Sequence, residues 1–300
     1  MNTAGMTPSA TTPKSTPGMT PVMTLYTVAA SPSSEKVRWA LDAAHLRYCE
    51  HRLTPFLHHA SNLRIGGSLG VSLPTLQADG ELIQDSTQIL EWLERHRAPF
   101  ALIPQDAETR AEVMRYEARF DHIGMHVVRL MYATLLKDPD LVRRLWSLDA
   151  GLVQARVLRL AFPLILGVFR RGLGMEPALI AHSRKVVERA LDELARLADG
   201  GRVHLAGGAL SVADITAASR LAPLVCPDEH LVFSDPEYRD AMQPLLEAWH
   251  GHPGADWVRT IYRLHRRPES RCRGGAAPPA LAAHRRRHQQ GAQRKMAETV

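Results

Sequence analysis

Apolar positions change their rhythm about a third of the way along the chain. Residues 24–29 (TLYTVA) predict a first strand. The run EKVRWALDAAH then puts Val37, Ala40, Leu41 and Ala44 on one helical face. Ser31 is placed to cap that helix and Pro32 to be its first residue. Residues 47–53 alternate and predict a second strand. Residues 55–70 contain His58-His59 and Gly66-Gly67, keep no clean period, and predict loop with a short helix. Residues 72–78 predict a third strand, with Pro74 unable to donate to a ladder. Asp79-Gly80 is a hairpin signal, a short fourth strand ends at Leu82-Ile83, and Asp85-Ser86 open a helix striped by Ile89, Leu90 and Leu93. The order is β-α-β-α-β-β-α.

Past residues 98–106, a linker with Pro99 and Pro104, the pattern is helical throughout. Residues 108–136 predict one long helix weakened at Gly124. Asp138-Pro139 start another, and residues 152–171 a third. Pro177 opens a helix with the stripe Leu179, Val186, Val187, Ala190, Leu191, Leu194 and Leu197, ended by Gly200-Gly201. Ser211 and Asp214 form a capping box, with Leu210 and Ile215 spaced for a hydrophobic staple. Pro223 and Pro227 are expected to end that helix. Residues 236–250 and 253–267 predict closing helices with Trp249 and Trp257 in the core. The expected division is a disordered leader at 1–22, a first domain at 23–97, the linker, a helical domain at 107–268 and a disordered basic tail at 269–300.

A chain of 300 residues with 45% apolar content fits two domains with sizeable cores. The net charge of +6 suggests nucleic acid, but the tail alone supplies five of those charges. The body is near neutral, which argues against a nucleic-acid partner. Cys49, Cys226 and Cys272 are far apart with no CxxC spacing. That excludes a disulfide framework or zinc cluster and suits a reducing cytoplasm. The most apolar stretch, residues 152–169, contains Arg156, Arg159 and Pro163. These are too costly for a routine membrane span, and a buried or pocket-lining helix is expected ahead of a membrane-surface helix.

Two details carry chemistry. A proline opening a strand beside a site is often cis, which would turn the N–H and C=O of Leu73 outward toward a ligand. Asp85 and Ser86 sit where free helix N–H groups and a positive dipole end favour a carboxylate. Together they suit an extended peptide with an acidic end. The plainer reading is an edge-strand proline and an ordinary helix cap. His122 and His126 lie four apart on the predicted long helix, a spacing that could begin a metal site, but no third ligand accompanies them and no metal is expected there.

Leu73-Pro74, the hairpin and Asp85-Ser86, preceded by SPSSEKVRWAL, resemble the glutathione S-transferase family. The resemblance implies an α/β plus all-α architecture: a thioredoxin-like N-terminal domain followed by an all-helical C-terminal domain. It implies that Leu73 and Pro74 hold the cysteinyl backbone of glutathione as cosubstrate, and that Asp85 and Ser86 hold its γ-glutamyl end. A homodimer and a small hydrophobic electrophile are implied as well. Ser31 matches the serine of serine-using members, with Ser33 and Ser34 as rivals, and Tyr26 is expected to be structural. A thiol of pKa about 8.5 needs ~2.7 kcal/mol of preference for the thiolate to titrate two units lower. A hydroxyl hydrogen bond supplies ~1.5–3 kcal/mol and a helix N-terminus ~0.3–1. The absence of cysteine at 31 and 34 argues against disulfide exchange. Arg64, His58 and Asn62 lie in the loop expected near the glycyl end. Asp at 85 and a serine-rich turn after Pro32 depart from the usual pattern. They keep open a non-catalytic binding or regulatory protein, beside a glutathione-dependent isomerase or dehalogenase.

Overall fold

Strand β1 (Met23–Thr27) buries alternate residues and pairs in parallel with β2 (Tyr48–Arg52) across α1 (Pro32–Ala43). The computed structural model describes residues 23–55 and 73–267 and the backbone of 272–273. The expected leader at 1–22, the loop at 56–72 and most of the tail lie outside the described residues. On the other side of β1 lies β3 (Thr75–Ala78), antiparallel, followed by β4 (Glu81–Gln84). The turn between β3 and β4 has positive φ at Asp79 (51°) and Gly80 (86°), the two-residue hairpin geometry that Asp-Gly accommodates. Pro74 precedes the first residue of β3, so the ladder loses no donor. Helix α2 (Ser86–His96) completes the thioredoxin-like domain.

Where the sequence predicts an unstructured tail, β5 (Cys272–Arg273) pairs in parallel with β2. The sheet order is β4-β3-β1-β2-β5. The linker is not merely a spacer: Phe100, Leu102 and Ile103 are buried, and Leu102 O accepts from Val212 N at 3.0 Å.

The helical domain comprises α3 (Ala107–His122), α4 (Gly124–Leu135), α5 (Pro139–Trp146), α6 (Leu152–Leu173), α7 (Pro177–Asp199), α8 (Val212–Val225), α9 (Pro236–Ala248) and α10 (Pro253–His265). Every residue of α8 is buried, and it packs against α1, α3, α4 and α10. Asp214 accepts from Ser211 N and Ser211 Oγ at 2.9 Å each and from Leu205 N at 2.8 Å. The box thus fixes the preceding loop as well as the helix start. Pro223 lies inside α8, which ends instead at Cys226 in the left-handed region (φ 52°). Trp249 and Trp257 are buried as expected, whereas Leu179 is exposed.

Three expectations are corrected. The predicted long helix is two helices meeting at Ile123; Gly124 at the junction leaves room for the Arg220 side chain, since a Cβ there would lie 3.1 Å from its Cδ. His122 and His126 therefore stand on different helices, not on one face. Helix α6, expected to be buried or pocket-lining, leaves Leu152, Val153, Val157, Leu160, Leu164 and Val168 exposed and fully buries only Leu158, Phe162 and Leu173. The converse holds for α1, which buries ten of its twelve residues, Glu35, Lys36, Arg38 and Asp42 among them.

Candidate functional site

One row of the sheet assembles the site. Tyr26 of β1 faces Thr75 of β3, and Thr75 faces Gln84 of β4. The chain leaves β1 toward Ser31, enters β3 from Leu73-Pro74 and leaves β4 into Asp85-Ser86. All three segments therefore meet at one edge of the sheet.

Each segment has defined local geometry. Ser31 is the N-cap of α1 with extended backbone (φ −91°, ψ 120°), and its Oγ accepts from Ser34 N at 3.3 Å. As the cap it keeps the hydroxyl proton to donate elsewhere. Ser34 is fully buried, and its Oγ accepts from Val28 N. Ser33 Oγ accepts from Arg220 Nη1. The Leu73–Pro74 peptide bond is cis. Asp85 caps α2 with φ at 71°, and its Oδ1 accepts from Thr87 N (2.9 Å) and Gln88 N (3.3 Å). Ser86 is 1% exposed, and its Oγ has no hydrogen-bond partner. A buried hydroxyl left unpaired costs ~1–3 kcal/mol. It is a polar atom that a ligand group would satisfy.

Beneath this edge lies a charged network that sequence reasoning missed. Lys36 Nζ, fully buried, donates to Glu117 Oε1, to Asp121 Oδ1 at 2.8 Å and to Thr87 Oγ1 at 3.0 Å. Thr87 Oγ1 in turn donates to Glu117 at 3.0 Å. Arg220 Nη2 donates to Asp121 Oδ1 at 2.5 Å, while its Nη1 reaches Ser33. Burial pushes the Asp121 carboxyl up, but the neighbouring Lys36 and Arg220 outweigh it and hold the group below its ordinary value. The network ties the mouth of α1 to α2, α3 and α8, and so joins the two domains at the site. Its one local signal is Gly124, the glycine that clears a path for Arg220.

The remaining candidates fall elsewhere. Tyr26 donates to Gln77 Oε1 at 3.1 Å and stacks on His51, and burial raises its phenol. These contacts fit a structural role. His126 lies 3.0 Å from Ser183 Oγ and faces the His182 ring. Burial, then Arg129, lowers its pKa, which favours the neutral ring. Arg64, His58 and Asn62 lie outside the described residues.

The fold and this edge define a class: a thioredoxin-like domain carrying a polar ligand edge, closed by a helical domain. Residues 25–100 match the family model for the glutathione S-transferase N-terminal domain. A glutathione S-transferase from Rhodospirillum rubrum F11 is 26% identical, with 80% of this chain and 88% of that chain covered at a TM-score of 0.53. One from Methylobacterium radiotolerans JCM 2831, in complex with glutathione sulfonate, is 22% identical, with 82% and 91% covered at 0.52. One from Methylobacillus flagellatus KT, with glutathione bound, is 20% identical, with 79% and 93% covered at 0.50. No curated protein matches the chain. Residues 25–100 therefore form a glutathione S-transferase N-terminal domain, and the chain as a whole shares the fold of these glutathione S-transferases.

Proposed function

We propose that the chain binds glutathione along this edge and holds its thiol as a thiolate for attack on a small hydrophobic electrophile. The observation that carries the reading is the shared row of Tyr26, Thr75 and Gln84, which collects Ser31, Leu73-Pro74 and Asp85-Ser86 at one edge. The Ser86 hydroxyl and the positive end of the α2 dipole suit the α-carboxylate of a γ-glutamyl group. The Asp85 carboxylate suits its ammonium. The Leu73 backbone takes the cysteinyl unit, with Pro74 fixing the approach. Bound relatives support the choice of ligand, since the neighbours from Methylobacterium and Methylobacillus carry glutathione sulfonate and glutathione.

Ser31 is the proposed thiol partner. All three serine hydroxyls accept hydrogen bonds, but the Ser31 Oγ is neither fully buried, as Ser34 is, nor held by Arg220, as Ser33 is. Its O–H donates to the sulfur, the helix N-terminus adds its dipole, and the proton leaves to water. The working unit is a homodimer in the cytoplasm.

Ser31→Ala should lower kcat/KM with an electrophilic aryl halide at least about tenfold, the equivalent of ~1.4 kcal/mol of transition-state stabilisation. Retention on immobilised glutathione should persist. A variant that turns over at the full rate would remove Ser31 from the mechanism. Wild-type retention without thiol consumption would leave a binding protein instead of an enzyme.

A further inference from the structure

Helix α6 presents to solvent the residues that most helices hide. Val153, Val157, Leu160, Leu164 and Val168 follow one another at spacings of four, three, four and four, which is one face of a helix. Leu160 is 80% exposed and Leu164 74%, and Leu152 at the helix start is 88% exposed. The opposite face is anchored: Leu158 and Phe162 are buried, with Phe162 against Trp146 at 5.6 Å. Helix α6 carries Arg156, Arg159, Arg170 and Arg171, all exposed, and no acidic residue. At 100° per residue, Arg171 falls within the apolar stripe and Arg156 beside it, whereas Arg159 and Arg170 lie further round toward the anchored side.

Charge decides between occupants. In a twofold pairing of this face with a second copy, the same patch meets itself, so Arg156 and Arg171 of both copies would be brought into one interface with no carboxylate from α6 to pair them. Among the described residues α6 is long and apolar enough to cross a membrane. Yet its neighbours α5 and α7 both pack on α4, which keeps its two ends on one side. A sheet of anionic headgroups over acyl chains complements both features: valine and leucine enter the acyl boundary while guanidinium groups pair with phosphate.

We propose that α6 docks the protein on the surface of an anionic lipid bilayer. The proposal uses none of the residues assigned to glutathione, so its failure would leave that reading untouched.

The test is co-sedimentation of the full chain with vesicles of phosphatidylcholine alone or with about a quarter phosphatidylglycerol. The wild type should bind the anionic vesicles at least about tenfold more tightly than the neutral ones, less so as salt rises. Leu160→Glu with Leu164→Glu should cut that binding at least about tenfold, and Arg156→Glu with Arg159→Glu should also weaken it. Unchanged circular dichroism certifies the fold, and Leu160→Ser with Leu164→Ser replaces the glutamate pair if it does not. No binding by the wild type overturns the proposal. So does full binding by the leucine variant, which would assign attachment to the basic tail. A wild-type dimer that ignores vesicles and becomes monomeric in the leucine variant overturns it too, by making the face a contact between copies.

Discussion

Helices α1 and α6 reverse each other's expected places. Helix α1 carries Glu35, Lys36, Arg38 and Asp42, yet it is packed between the sheet and α8. Helix α6 has no acidic residue and a long valine and leucine face, yet that face meets water. The difference lies in partners. Glu35 receives Arg38 at 2.5 Å and Arg266 at 2.6 Å, Asp42 receives Arg266 and Tyr48, and Lys36 has two carboxylates. Ion pairing and hydrogen bonds offset the desolvation of these charges. Helix α6 has only part of its circumference matched by aromatic side chains such as Trp146 and Tyr132. Burial therefore follows complementarity, and hydropathy is only one form of it.

The sharpest way to break this contrast is Lys36→Met. It should cost about 3–5 kcal/mol, because Glu117 would remain buried without its cation. A loss below about 1 kcal/mol in urea unfolding would make the network no stronger than a surface pair.

Acid should act on α1 and spare α6. Burial would raise the Glu50 carboxyl, but Arg38, Arg52 and a hydrogen bond from Thr27 hold it down at about 2. The same opposition, with burial outweighed by Arg266, His230 and Arg38, depresses Glu35 further. A depressed folded value means that stability is present above the unfolded value of 4.5 and lost as pH falls toward about 2. Urea midpoints should fall by the equivalent of a few kcal/mol across that window. The decline should be shallower in Glu50→Gln, and an equal slope would clear Glu50 of responsibility.

Asp214→Ala tests the helix against which α1 rests. Three donors would lose their acceptor, so the cost should reach about 2 kcal/mol or more, above the ~1 of an exposed cap. Thermal melting decides between the two figures. At the small end, Leu160→Ser should change stability by no more than about 0.5 kcal/mol, since its side chain already faces solvent. A loss near the ~2–5 kcal/mol of a core leucine truncation would mean that the face is covered within the molecule.

These contrasts also mark where sequence is informative. The strand order, the Asp79-Gly80 turn and the caps at Ser31, Asp85 and Ser211 were legible because each signal lies within a few residues of its consequence. The Leu-Pro and Asp-Ser segments were legible for the same reason, and the register of three strands then brought them together. The charged network was not. Lys36 meets Glu117 across 81 positions, and Arg220 meets Ser33 across 187. No local period encodes such pairs. The apolar stripe of α6 was visible as a stripe, but periodicity says nothing of what lies opposite it. Arg156 and Arg159 were counted against a membrane span, and among the described residues that stripe has no cover.

Arg266 holds a timing consequence. Its guanidinium completes the surroundings of Glu35, which was made 231 residues earlier. At ribosomal speeds of about 5–20 residues per second, roughly 10–50 s separate the synthesis of the two. Through that interval the first domain emerges with its central helix lacking a cation it will later enclose. Only release of the last helix lets the first one settle, so the nascent chain matures from both ends at once.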